Sequence, residues 1–427
     1  MKKYDLLATG MMTFALFLGA GNIIFPPSLG LQAGTALLPA MAGFLFTAVG
    51  LPAFTLMILG RLNSSAALTE KLPAWMGTTF WVLLFTAIGP AFGMPRAVTV
   101  AYEMGIAPFF EQDTLLPFTI VFCIVTFLLA FKPGKLVDYI GKVMTPVLIL
   151  MLVALALAAF LNPLDVPQLP SGEYATAPVV NGLIQGYMTM DAIAAVGFGW
   201  VIIRAITSKG VSTPSGIAKA STQVALIYAA LMSACYLAMG YVGATSASIA
   251  AEATHGGTIL SNYVAAAFGP YGQWLLAAII VMACLTTTVG LTNACSEYYQ
   301  QAFKAPFSFT ATVVVILTGV VANFGLEQII AASLPAILVL CPVALSLVLA
   351  SLQKSAQTTF AAVVVTVLFG GIDAMNILGK MPEALNSTFS EALPLYTAHA
   401  SWLVPCLLVM SASLMKRRLT PQMSTNA

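Results

Sequence analysis

Apolar residues along this chain fall into long blocks parted by short polar stretches. Twelve blocks reach membrane length, within about three residues at each end: 6–31, 36–59, 78–102, 115–131, 143–161, 178–206, 217–243, 272–301, 309–325, 328–350, 359–379 and 394–415. About 20 apolar residues in a helix span roughly 30 Å of hydrocarbon. In lipid such a segment must satisfy its own backbone hydrogen bonds, so each block is predicted as a spanning α-helix. No connection is long and polar enough for a separate soluble domain. The longest, 162–177 and 244–271, are rich in Pro, Gly, Ser, Ala and Thr and read as surface loops. The start, Met1-Lys2-Lys3 before an apolar run, imitates a secretory signal, but the run continues to Phe25-Pro26-Pro27 and reads as a retained first crossing.

Composition narrows the class further. Of 427 residues, 59% are hydrophobic and 7% charged, against about 25% charged in a soluble domain. That excludes a soluble globular protein, and 25 Phe with 20 Met exclude polar disorder. A net charge of +2 without basic runs among aromatics gives no sign of a nucleic-acid partner. The six cysteines (Cys123, Cys235, Cys284, Cys295, Cys341, Cys406) lie in apolar stretches without metal or redox spacing and read as packing thiols. His255 and His399 fall in expected outer loops, far apart, and make a weak case for a metal site.

Charge also sets the orientation, because cytoplasmic loops retain Lys and Arg. Lys2, Lys3, Arg61, Lys71, Lys132, Lys135, Lys142, Arg204, Lys209, Lys219, Lys304, Lys354, Lys416, Arg417 and Arg418, 15 of 17 cations, fall on one side of a twelve-helix arrangement. The other side keeps Arg96 and Lys380 and gathers Glu111, Asp113, Asp165, Glu173, Glu252, Glu327, Glu383 and Glu391. Both termini are therefore expected in the cytoplasm.

Two spanning segments are built to break. The first holds Leu18-Gly19-Ala20-Gly21-Asn22-Ile23-Ile24-Phe25-Pro26-Pro27. A glycine costs a helix about 1 kcal/mol and an interior proline about 3. Such a segment either unwinds to line a cavity or is a kinked helix with close-packing glycines. The sixth holds Tyr187-Met188-Thr189-Met190-Asp191-Ala192-Ile193-Ala194-Ala195-Val196-Gly197-Phe198-Gly199-Trp200. The two are equivalent if helices 1–5 (1–161) and 6–10 (178–350) form repeats, which an odd helix number forces into opposite orientation. Helices 11–12 (359–415) and a tail (416–427) follow. Paired broken helices point to a secondary transporter with a midplane site. There, half-helix N-termini attract a carboxylate and unwound carbonyls hold an ammonium or a small cation. The eighth segment adds Thr286-Thr287-Thr288, whose hydroxyls either serve a hard cation or bond back within the helix. Asp191, an acid at the centre of a spanning helix, either marks an ion or substrate pathway, at the substrate amine or the coupling cation, or makes a structural bond to a neighbouring helix. Glu297 and Asp373 lie nearer helix ends and read as interfacial or structural.

Lys3-Tyr4-Asp5, Gly19-Ala20-Gly21-Asn22-Ile23-Ile24-Phe25-Pro26-Pro27, Gly89-Pro90-Ala91-Phe92-Gly93-Met94-Pro95-Arg96 and Gly186-Tyr187-Met188-Thr189-Met190-Asp191 together resemble the bacterial branched-chain amino acid:cation symporters. The resemblance covers nearly the whole chain. It implies the five-plus-five inverted-repeat fold of the amino acid–polyamine–cation superfamily, residence in the bacterial cytoplasmic membrane, and import of leucine, isoleucine and valine with a cation, usually sodium. Matched to the distantly related sodium-coupled leucine transporters, the motifs imply a sodium site from the carbonyls of Ala15, Leu18 and Ala283 and the hydroxyls of Thr286 and Thr287. They imply a substrate carboxylate at the backbone of Ala20, Gly21 and Asn22. The amine falls to Asp191 or unwound backbone from Ala192 through Ala195 to Gly197, and the side chain to Phe198 and Leu291. This sequence lacks the helix 1 arginine that those relatives use as an outer gate. Arg96 is either its substitute or an interfacial residue snorkelling to headgroups. Ile193 stands where a second sodium site would need an oxygen, so one sodium is expected. The alternatives are proton coupling through Asp191 and, more remotely, an intramembrane enzyme or a channel. Scattered acids and loop histidines argue against the enzyme, the lack of an acidic ring or filter sequence against a channel. No phosphate-cradling Gly-X-X-X-X-Gly-Lys-Ser loop is present. No cofactor and no obligate protein partner is implied.

Overall fold

The computed structural model describes residues 1–131, 137–250, 253, 255–353 and 355–419. Lys132, Lys135, Glu252, Lys354, the tail beyond 419 and the side chains of Ala20, Lys416, Arg417 and Arg418 lie outside the described residues. The helices are α1 Lys3–Phe17, α2 Ala20–Ala33, α3 Leu37–Leu45, α4 Leu51–Leu62, α5 Ala74–Thr86, α6 Gly93–Gly105, α7 Leu115–Ala130, α8 Thr145–Leu161 and α9 Pro178–Tyr187. They continue as α10 Asp191–Ser208, α11 Pro214–Ala244, α12 Gly256–Phe268, α13 Pro270–Phe303, α14 Phe307–Ala322, α15 Leu326–Ser351, α16 Ala356–Ile377, α17 Glu383–Ala392 and α18 Leu403–Leu419. Among the described residues there is no strand, and eight helical stretches are long and apolar enough to cross a bilayer. The expected segments 115–131 and 309–325 are the shorter apolar helices α7 and α14.

Two compact units divide the chain: Met1–Ser65 with Phe85–Ile330, and Ala66–Leu84 with Ala331–Ala427. In the first, α11 packs on α1, α2 and α4, α13 on α6, α7, α12 and α14, and α3 on α9. Glycines set the spacing of α2 and α11. A Cβ on Gly30 would lie 1.9 Å from the Gly240 carbonyl oxygen, and one on Gly243 would lie 2.0 Å from that of Pro27. Small residues are what let membrane helices approach backbone to backbone. Gly30→Ala is accordingly expected to cost about 1–3 kcal/mol in detergent thermal unfolding, and Gly371→Ala, whose Cβ meets nothing within 4 Å, almost nothing. Equal midpoints for the two variants would refute this packing.

The second unit pairs α16 with α18. Asp373 is buried there and accepts the Ser401 backbone N–H at 3.1 Å, the structural role read for it above.

Pro26 and Pro27 lie inside α2, which follows the break at Leu18 and Gly19. Two expectations are corrected. The connection 244–271 is not simply a surface loop, because α12 folds within it and buries Ile259, Leu260, Tyr263 and Val264. That i, i+1, i+4, i+5 stripe has helical period, which the small-residue composition around it obscured. The segment 394–415 is helical only from Leu403, for Leu395 and His399 take left-handed φ values of 63° and 51°.

Candidate functional site

The first break leaves carbonyls free at the end of α1. Leu18, fully buried, has ψ 75°, and Gly19 is extended with φ −103° and ψ −165°. The Gly19 N–H bonds the Phe17 carbonyl at 2.7 Å, so it cannot close a helical turn onto Ala15. The Ala15 carbonyl accepts instead the hydroxyls of Thr286 at 2.9 Å and Thr287 at 3.4 Å from α13. Thr286 also donates to the Ala283 carbonyl at 2.8 Å. Four of the five expected sodium-ligating residues are thus joined by measured contacts, and Leu18 forms the break beside them. The oxygens are neutral and buried, a donor set that suits a hard monovalent cation without burying a counter-charge. A Cβ on Gly19 would come within 3.3 Å of the Thr287 hydroxyl oxygen, so the close approach of backbone and hydroxyl depends on this glycine.

The second break lies seven residues before Gly197. α9 ends at Tyr187, Met190 takes the left-handed φ of 68°, and α10 starts at Asp191. Ala192, Ala195 and Gly197 are therefore helical, and the expectation of unwound backbone from Ala192 to Gly197 is corrected. Gly199 serves packing: its absent Cβ would strike Leu59 Cδ1 at 2.2 Å. The acid itself is the helix-start signal, since Asp is favoured in a first turn whose free N–H groups carry partial positive charge.

Asp191 is 4% exposed, and two donors converge on its Oδ2: Asn22 Nδ2 at 2.6 Å and the Tyr236 hydroxyl at 2.9 Å. Asn22 Nδ2 also donates to the Tyr236 hydroxyl oxygen. The carboxylate thereby ties the first turns of α2 and α10 to α11. Tyr236 was not anticipated. Its signal was a phenol midway along an apolar helix, where burial demands a partner. Tyr236→Phe removes one neutral-to-charged hydrogen bond, worth about 1.5–3 kcal/mol, and is expected to raise the half-saturating leucine concentration at least tenfold in uptake assays. An unchanged value would remove Tyr236 from the site.

A cavity opens between the breaks. Of the expected residues, Gly21, Asn22, Asp191, Phe198, Leu291 and Thr287 line it, while Ala192, Ala195 and Gly197 do not. Leu16, Phe17, Gly19, Ile88, Gly93, Arg96, Ala97, Thr189, Met190 and Ala194 complete the wall. Phe198 and Leu291 are buried, and Phe198 meets Phe17 with ring centroids 5.1 Å apart. Arg96 is no interfacial arginine: it is 8% exposed, in the first turn of α6, with Cζ 5.7 Å from the Phe25 ring centroid. The wall is mostly apolar, with one acid, one base and the polar side chains of Asn22, Thr189 and Thr287. A larger groove of about 630 Å³ between α7 and α14 is lined by residues such as Leu116, Ile120, Phe127 and Val320 and holds no acid or base.

Elsewhere, Glu297 of α13 pairs with Arg204 of α10 at 2.8 Å. Lys142 pairs with Asp138 at 2.6 Å, and Lys209 approaches Asp5 at 3.8 Å and Asp138 at 3.9 Å.

The family model described as branched-chain amino acid transport protein matches residues 2–420. The chain belongs to this family. The branched-chain amino acid transport system 2 carrier protein of Pseudomonas aeruginosa is 41% identical to it over 430 residues, covering 98% of this chain and 97% of that one. The branched-chain amino acid permease BrnQ of Haemophilus influenzae is 38% identical over 424 residues, covering 96% and 97%. Solved structures share the fold at low identity. A nucleobase-cation-symport-1 family transporter, in a closed conformation with bromovinylhydantoin bound, is 15% identical at TM-score 0.57, covering 98% of this chain and 94% of that one. MhsT in complex with L-phenylalanine is 15% identical at TM-score 0.56, covering 95% and 98%. The chain thus shares the fold of these two proteins.

Proposed function

We propose that the protein imports leucine, isoleucine and valine across the bacterial cytoplasmic membrane by sodium symport and alternating access. The observation that carries this is the meeting of two broken helices at a buried cavity, with Asp191 on one side and the Ala15, Thr286 and Thr287 oxygens beside it. The substrate ammonium bonds Asp191, its carboxylate reaches the free N–H groups from Ala20 to Asn22, and its side chain packs on Phe198 and Leu291. Sodium takes the carbonyls of Ala15, Leu18 and Ala283 and the hydroxyls of Thr286 and Thr287, holding the end of α1 against α13. Substrate completes the site, and the segments around the breaks then rock inward. Family membership and the names of the relatives support the substrate class, and the shared fold supports secondary transport.

The membrane arrangement in this reading has twelve crossings, five-plus-five inverted repeats with their first helices broken, helices 11–12 outside the repeat, and both termini cytoplasmic. The ionic contacts among Asp5, Asp138, Lys142 and Lys209 support it, because all four come from stretches assigned to the cytoplasmic side. Proton coupling is the second reading, favoured by one observation: Asp191 is an acid buried at the start of a spanning helix, the placement that proton relays use.

Competition against radiolabelled leucine in proteoliposomes tests the substrate class. A hydrophobic pocket separates neighbours by about 1–3 kcal/mol per methylene, so valine and isoleucine should compete within about a hundredfold of leucine. Alanine, three carbons shorter, should be weaker than valine, and lysine and glutamate should not compete. Competition by lysine or glutamate equal to that of valine would contradict the proposal.

A further inference from the structure

α6 carries a cation into the cavity that nothing so far has used. The Arg96 guanidinium lies against the first turn of α2: a Cβ on Gly21 would meet Arg96 Nη2 at 3.0 Å and Cζ at 3.6 Å. Its Nε is buried without a hydrogen-bond partner, and none of the ion pairs among the described residues, taken to 4.0 Å, includes it. The guanidinium lies over the Phe25 face, which supplies cation–π attraction but no acceptor. A helix N-terminus carries about half a positive charge. Setting a buried guanidinium beside it is unfavourable unless an anion shares the space between them. Asp191 lines the same cavity but is engaged by Asn22 and Tyr236.

We propose that Arg96 is a specificity-determining residue that receives the carboxylate of the transported amino acid opposite Asp191, so that the cavity selects a zwitterion and refuses an amine or an acid with the same side chain. This rests on the amino acid reading above. The guanidinium fork matches a carboxylate bidentately, and the α2 N–H groups complete the anion's hydrogen bonds. An amine such as isoamylamine brings Arg96 no anion, and 4-methylpentanoate brings Asp191 no cation. In each case the stranded charge, more than the lost contact, sets the penalty. Gly21 takes part because any side chain there would displace the guanidinium.

The test is leucine uptake by reconstituted wild type, Arg96→Gln and Arg96→Lys, with isoamylamine and 4-methylpentanoate as competitors. Wild type should prefer leucine to isoamylamine by about a hundredfold or more. Arg96→Gln should lose about thirtyfold or more in leucine affinity, with isoamylamine affinity unchanged or better, so that the preference collapses. Arg96→Lys should recover part of it. Arg96→Gln that keeps the wild-type preference, whether or not leucine binds more weakly overall, would overturn the proposal. If neither variant folds, phenylglyoxal modification of the wild-type protein, read at Arg96 by mass spectrometry, replaces them. Leucine should protect Arg96 and isoamylamine should not; equal modification with saturating leucine would overturn the assignment. Failure of the amino acid reading is distinguishable, for then the wild type takes up no leucine at all.

Discussion

Asp191→Asn is expected to lower leucine uptake, as Vmax/KM, by about thirtyfold to five-thousandfold. The range follows from removing one partner of a buried, hydrogen-bonded charge pair, which costs about 2–5 kcal/mol. Asparagine is nearly isosteric, so the contacts with Asn22 and Tyr236 can be partly kept and the fold should survive. What it cannot offer the substrate ammonium is a full negative charge. Exchange of leucine between two equal pools separates the two roles open to this acid. If Asp191 holds the ammonium, exchange and uphill accumulation fail together. If it carries the coupling proton, Asp191→Asn retains exchange and loses only accumulation. A variant with normal leucine affinity and reduced thermal stability would make Asp191 a structural tie between α2, α10 and α11 and nothing more.

Thr287→Ala is expected to raise the sodium concentration for half-maximal uptake by about tenfold or more, leaving leucine affinity at saturating sodium nearly unchanged. A hydrogen bond or ligand contact to a charged group is worth about 1.5–3 kcal/mol. The hydroxyl is only 3.4 Å from the Ala15 carbonyl oxygen, on the α13 wall that faces the break. Thr287→Ser keeps the oxygen and should remain close to wild type. Thr286→Ala should behave similarly but with a stability loss, because Thr286 bonds both the Ala15 and Ala283 carbonyls and so ties α1 to α13. Unchanged sodium dependence in both alanine variants would refute the site, and would reduce these hydroxyls to helix-packing bonds.

The contacts between α1 and α13 were expected from the resemblance, because Thr286-Thr287-Thr288 taken alone leaves back-bonding within the helix open. The fold brings two of those hydroxyls to the Ala15 carbonyl that the break at Leu18 and Gly19 leaves free. The break in the sixth segment was located less well. Gly197 and Gly199 drew attention as helix breakers, yet in a close-packed membrane bundle glycine also serves approach, as the Leu59 contact at Gly199 illustrates. The left-handed Met190 has no sequence signature of that strength; Asp191 as a first-turn residue was the better marker. In the first segment the break falls at Leu18 and Gly19, and α2 continues through Pro26 and Pro27. Arg96 and Tyr236 depend on tertiary placement. Arg96 stands alone among apolar neighbours near a helix end, a pattern shared by snorkelling and buried arginines, and only the packing of α6 against α2 distinguishes them. Tyr236 reaches Asp191 across 45 residues of sequence, a pairing no spacing rule contains.

The most direct measurement is leucine accumulation in proteoliposomes under an imposed inward sodium gradient, compared with choline on both sides and with an inward proton gradient in choline. The account predicts concentrative uptake with sodium, collapse when the sodium gradient is dissipated, and only equilibration in choline. Equal accumulation in choline driven by the proton gradient would contradict sodium coupling and transfer the coupling role to Asp191.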